Sequence, residues 1–197
     1  MSRALRGIRL SFAAITVLAL AGCAAPTRLY VNSQADLTLY KKVAVVPFTD
    51  LSGQQFAGDR VTRAFTTELI LTDRFHVVEA AELSNALDQA GGSIDSQGRT
   101  SAEKLKEACQ KLEAPGYIRG AVTEYQMQRN GQDEIPVLSF DAELVDVATG
   151  NVVWRISISR RGHSLLPGLS GGSLRSFGAL TQKACAEAVA RLRGRAL

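Results

Sequence analysis

The stretch "VLSFDAELVDVATGNVVWRISISR", residues 137–160, constrains the fold more than any other part of the chain. Leu138, Phe140, Ala142 and Leu144 fall on alternate positions, and Val152, Trp154, Ile156 and Ile158 do the same further on. A period of two marks a strand with one buried and one wetted face. The intervening "ATGN" has the residues of a tight turn, so the two runs read as an antiparallel hairpin. Asp141, Glu143 and Asp146 then read as the outer, half-exposed face of that sheet.

The rest of the chain supplies partners for this hairpin. "KKVAVVPF" is a short β-branched run bounded by "TDLSG", which reads as a buried strand. The pattern then turns helical. Val61, Ala64, Phe65 and Leu69 share one face, and Asp59 is the expected N-cap. "FHVVE" is a second strand. A short helix follows with Leu83, Ala86, Leu87 and Ala90 inward, ended by Gly91 and Gly92. Thr100 and Glu103 have the spacing of a capping box, opening a helix whose apolar face is Leu105, Cys109 and Leu112. "YIRGAVTEY" is another strand. The last helix turns Leu174, Phe177, Ala184, Ala188 and Leu192 inward. The resulting order, β-α-β-α-α-β-β-β-α, predicts an α/β (α+β) domain with a single mixed β-sheet and helices packed on it.

The amino terminus is of a different kind. Arg3, Arg6 and Arg9 precede an uncharged apolar run, Leu10 to Leu20, about half the length needed to span a bilayer. The run ends in Leu20-Ala21-Gly22-Cys23, which is similar to the lipobox of bacterial lipoproteins. There the cysteine thiol is acylated and the chain is cut before it. Residues 1–22 are therefore expected to be a signal peptide, and Cys23 the lipidation site and first mature residue. Ala24, rather than Asp, points to the outer membrane in a two-membrane host. Residues 23–40 are expected to form the lipidated amino terminus and a flexible tether reaching roughly 20–25 Å, with docking of "RLYV" or "LTLY" as an edge strand the alternative. Residues 41–197 are expected to form the periplasmic domain, long enough to bury a core.

Cleavage also removes most of the positive charge. The full chain carries a formal +4, of which three charges are the leader arginines, leaving about +1. Such a balance gives no support to a nucleic-acid partner. Cys109 and Cys185 remain once Cys23 is acylated. A disulfide between them and two buried thiols are both open, since an oxidising compartment permits the first and apolar helix faces suit the second. His76 and His163 stand apart from acids and thiols, so no metal or other cofactor is expected. "GLSGG", Gly168 to Gly172, formally matches a nucleophile elbow, but no histidine follows Ser170 and no convincing strand precedes it. It reads as a glycine-rich turn with Ser173 capping the last helix. Arg191, Arg193 and Arg195 suit the dipole of that helix's final turn. No enzyme is expected.

The phrases "KKVAVVPFTDLSG", "DRVTRAFTTELILTDRFHVVE", "YIRGAVTEY" and "LVDVATGNVVW", in that order behind a lipobox, resemble the CsgG-like lipoproteins. The wider group holds the TolB amino-terminal domain and the LpoB-type and PelC-type lipoproteins. The curli exporter of that group spans the outer membrane with long β-hairpins. Here the corresponding stretches are "QMQRNGQDEIP", short and polar, and "RGHSLLPGLSGG", interrupted by Pro and Gly. The resemblance thus implies an outer-membrane-anchored, periplasm-facing accessory in export or assembly of a cell-surface polymer, without a barrel of its own. It implies protein partners in an envelope machine and a ring-forming homo-oligomer, with Leu165, Leu166 and Leu169 as candidate membrane or partner contacts. The alternative it implies is an LpoB-like activator of a peptidoglycan synthase, a class that usually needs a longer tether.

Overall fold

The computed structural model describes residues 27–131, 133–162 and 176–193 (the side chains of Asn130, Asp133 and Arg193 excepted). The strands are β1 Thr27–Val31, β2 Lys42–Val45, β3 Thr49–Asp50, β4 His76–Val78, β5 Gly116–Asn130, β6 Asp133–Asp146 and β7 Val152–Arg161. The helices are α1 Ala57–Ile70, α2 Ala80–Gln89, α3 Ala102–Lys111 and α4 Phe177–Arg193. All seven strands form one sheet ordered β1-β7-β6-β5-β2-β4, with β3 alongside β5. Pairing is antiparallel through β1, β7, β6 and β5 and parallel among β5, β2, β3 and β4. The mixed α/β sheet expected from the order of elements is the one observed.

The sheet has two cores, one on each face. On one face Phe65 and Leu69 of α1 and Ala184, Ala188 and Leu192 of α4 pack on Phe140, Leu144, Trp154 and Ile156. Phe48, Phe65 and Phe140 meet at its centre with ring centroids 5.5–6.4 Å apart, and Phe177 stacks on Tyr125 at 4.4 Å, pinning the start of α4. On the other face Leu83 and Leu87 of α2 and Leu105 and Cys109 of α3 pack on Ala44, Val46, Tyr117 and Val145. Cys109 and Cys185 lie in opposite cores, both buried and both free. The sheet stands between them, so the disulfide left open by the sequence is not formed. Burial pushes the Cys109 thiol up to about 12 and the Cys185 thiol higher than usual as well. Neither thiol is expected to react with a neutral disulfide reagent until the protein is unfolded, and reductant should leave the melting temperature unchanged. Fast labelling of either in the native protein would contradict this packing.

Of the two readings of the segment before residue 41, docking of "RLYV" as an edge strand is the one observed. Residues 27–40 are not a free tether, because Thr27 to Val31 pair along Ile158 to Trp154 of β7. After β1 a 3-10 turn, Leu37–Leu39, is capped by Asp36, and the Tyr40 ring is buried with its hydroxyl donating to Asp146 Oδ2 at 2.9 Å. Burial first, and that carboxylate second, raise the Tyr40 phenol to about 12. Asp146 therefore does not continue the outward row of Asp141 and Glu143. It binds Tyr40 and caps the turn through Thr149.

Two helix starts also differ from expectation. α1 is capped by Asp50 of β3, whose Oδ2 accepts from the amides of Ala57 and Gly58 at 3.0 and 3.4 Å. Asp59 lies inside the first turn, where its charge still suits the dipole. α3 starts after Ser101, and Thr100 Oγ1 is buried without a partner among the described residues, so the Thr100–Glu103 capping box is not formed. Strands β5 and β6 run further into the stretch "QMQRNGQDEIP" than the apolar alternation reaches. They continue to a turn at Gly131, paired from Gln126–Val137 to Asn130–Asp133. That overhang is shorter per strand than the ~9–11 residues a bilayer strand needs.

Candidate interaction surface

β5, β6 and β7 carry their apolar residues toward α1 and α4, which leaves the alternate positions on the opposite face. There Arg119, Glu143 and Arg155 stand in one row across three strands, in register with one another. Glu143 Oε1 accepts from Arg119 Nε at 2.6 Å and its Oε2 lies 3.6 Å from Arg155 Nη1. One carboxylate shared between two guanidiniums leaves the row with a surplus positive charge, and its exposure keeps each pair modest in energy. Next along the strands, Asp141 accepts from Ser157, while Ser139 donates to Glu124 at 2.6 Å and contacts Ser159 at 2.9 Å. The face is a polar platform with its groups already bonded to one another.

A cleft of about 350 Å³ opens between this row and the loop before α3, lined by Arg119, Asp141, Glu143, Arg155, Arg99 and Thr100. Gly98 closes one side with φ +81°, and a Cβ there would stand 2.7 Å from the Pro47 carbonyl oxygen. A second cleft of about 630 Å³ lies between the loop 50–56 and residues 94–98. At its rim Phe56 holds a left-handed φ of 63° and is 58% exposed as a residue, and Leu51 is also exposed. An aromatic residue in that region costs roughly 1–2 kcal/mol, and Asp50 fixes the loop from behind by its contacts with Ser52, Ala57 and Gly58.

Among the described residues no group of three His, Cys, Asp or Glu could hold a metal ion. Glu187, tied to Arg160, is held below the usual carboxylate range first by that hydrogen bond. Its contribution to stability is therefore present above the ordinary glutamate pKa and lost as pH falls through the depressed one. An acid titration of unfolding should show Glu187→Gln removing part of the loss below pH ~4. An unchanged acid limb would contradict the role of this pair.

Ser170, Ser173, Leu165, Leu166 and Leu169 lie outside the described residues, as does Cys23. Ser176 supplies a cap to α4, its Oγ accepting from the Ala179 amide at 3.2 Å. Arg191 pairs with Glu187 at 3.4 Å. Sequence reasoning placed Glu143 on the outer face but missed Arg119 and Arg155 as its partners. The signal available was the alternation of charges with apolar residues in three consecutive strands.

A two-core mixed sheet with helices on both faces and a bonded polar row on its outer strands defines an α/β domain. The chain belongs to the LpoB family, described as peptidoglycan-synthase activators, whose model matches residues 28–156. No curated protein matches the sequence significantly. Among solved structures, the PelC dodecamer from Paraburkholderia phytofirmans is similar at TM-score 0.57 and 20% identity, over 87% of this chain and 99% of that one. Lipoprotein GNA1162 from Neisseria meningitidis is similar at TM-score 0.53 and 21% identity, over 77% of this chain and 97% of that one. At such identities the likeness is one of fold. Of the group named from the sequence phrases, it is the LpoB and PelC types that the matches meet.

Proposed function

We propose that the mature chain is an outer-membrane lipoprotein, acylated at Cys23, whose periplasm-facing domain is a non-enzymatic accessory in export or assembly of a cell-surface polymer. In this reading it works by binding, and it assembles with copies of itself into a ring. The observation that carries the choice is the position of β1. With β1 at Thr27–Val31, the link between Cys23 and the strand shrinks to three residues, 24–26, and the domain lies directly beneath the membrane. That position suits a ring under an outer-membrane machine, as does the fold shared with the PelC dodecamer. We place the CsgG-like lipoproteins in the same circle of kinship, without the membrane hairpins of the curli exporter.

Family membership favours a second reading, activation of a peptidoglycan synthase. The short link argues against it, because an activator anchored in the outer membrane must reach a synthase working some distance away. The two readings separate in one purification. Acylated protein extracted in mild detergent should run as a higher-order oligomer by native mass spectrometry. A monomer that raises the rate of a purified synthase would replace the first reading with the second.

A further inference from the structure

We propose that β1 is the surface on which the domain rests against the lipid leaflet that holds its anchor. The inference depends on the acylation of Cys23 and goes further, to the orientation of the domain. Thr27 is the first residue of β1. Four Cα steps separate it from Cys23, so it lies within about 14 Å of the acylated residue however the intervening chain runs. A headgroup layer is itself ~5–8 Å deep.

The start of β1 is not free to swing away from the domain. Arg160 Nη2 donates to Thr27 Oγ1 at 2.6 Å, and Arg160 Nε donates to Glu187 Oε2 at 2.9 Å. Thr27 is thereby clamped to β7 and α4 together, and the membrane anchor pulls on a fixed point of the fold. Among the described residues β1 is also an edge of the sheet, paired with β7 on one side only. Along this edge Leu29, 41% exposed, lies on the α4 face, where the Arg191 side chain is 48% exposed beside Glu187. Arg28 and Tyr30, the latter 52% exposed, lie on the opposite face in register with Ser157 and Arg155, so the edge presents apolar and basic groups on both sides.

These residues match a lipid surface in chemistry. A tyrosine at the headgroup level keeps its ring in the apolar layer and its hydroxyl in water. Arginine side chains lay their stems on apolar surface and offer the guanidinium to lipid phosphates. An edge strand with exposed apolar residues is a template for unwanted pairing, and a headgroup layer shields it.

The test uses the full acylated protein in phosphatidylethanolamine and phosphatidylglycerol vesicles. An environment-sensitive fluorophore is placed through Tyr30→Cys, or through the exposed control Glu82→Cys on α2, which packs toward the opposite edge; the native thiols Cys109 and Cys185 are buried. The Tyr30→Cys probe should shift to the blue and lose most of its emission when shallow spin-labelled lipids are added, while the Glu82→Cys probe keeps its emission. Equal quenching at the two sites would overturn the proposal. So would an unquenched Tyr30→Cys probe that crosslinks to a second copy, which would assign β1 to a subunit contact. Flotation separates the two levels. Vesicle-bound protein with an unquenched Tyr30→Cys probe defeats the β1 surface alone, whereas protein that does not float defeats the anchor and the surface together.

Discussion

Trp154→Ala is expected to destabilise the domain by about 3–5 kcal/mol, in the range for removing a fully buried aromatic side chain from a core. Trp154 is fully buried on β7, between Val31 of β1 and Leu144 of β6 in the sheet register. The ring fills space that no neighbouring side chain can reach without breaking that register, so a cavity remains. Trp154→Phe should cost much less. The Trp154 indole N–H has no acceptor among the described residues, and an unpaired buried donor is a burden that phenylalanine removes. Urea unfolding followed by circular dichroism measures both, since Trp154 is the chain's single tryptophan and cannot serve as the reporter. Equal losses for the two variants would show that ring volume is not what matters there.

Gly58→Ala is the second large effect, and its sign opposes simple helix propensity. In an open helix alanine is better than glycine by ~1 kcal/mol. Gly58 instead lies in the first turn of α1, where a Cβ would stand 2.2 Å from the Phe48 carbonyl oxygen. That contact is backbone on both sides, so no side chain can rotate away. Phe48 is held in turn, because its amide donates to Thr62 Oγ1 at 2.8 Å and Thr62 Oγ1 donates to the Gly58 carbonyl at 2.7 Å. Relief requires α1 to lift from the segment joining β2 to β3, which weakens the Asp50 cap and the packing of Phe65 on Phe48. A net loss of ~1–3 kcal/mol is expected, as for other overpacked sites. A more stable Gly58→Ala protein in the same urea titration would show that the helix start is free to shift.

Periodicity carried the central hairpin, α1, α2 and α3 from the sequence, because each presents enough residues for a face to repeat. Leu138, Phe140, Ala142 and Leu144 are all buried together on one side, as alternation requires. β1 was less legible. It has five residues, and its partner Ile158 lies far along the chain from Thr27, so tertiary pairing rather than local preference makes the strand. The Asp50 cap was hidden for a similar reason, since it reaches α1 from a neighbouring strand while Asp59 offered a local decoy. The hairpin overhang was missed because Gln126 to Asn130 carry no apolar alternation, and pairing with β6 extends them all the same. Of the interaction surface, Glu143 could be placed on a face, but its two arginine partners could be joined to it only once the strand order was known.

The most direct measurement is the intact mass of the protein extracted from cell membranes. Acylation at Cys23 and a domain held close beneath the anchor require a chain that begins at Cys23 and carries a lipid mass on that residue. They also require that Cys23→Ser release the domain from the membrane or leave the leader uncut. An unmodified chain that still carries Met1 to Gly22, or a Cys23→Ser protein that stays membrane-bound at the normal mature length, would contradict them.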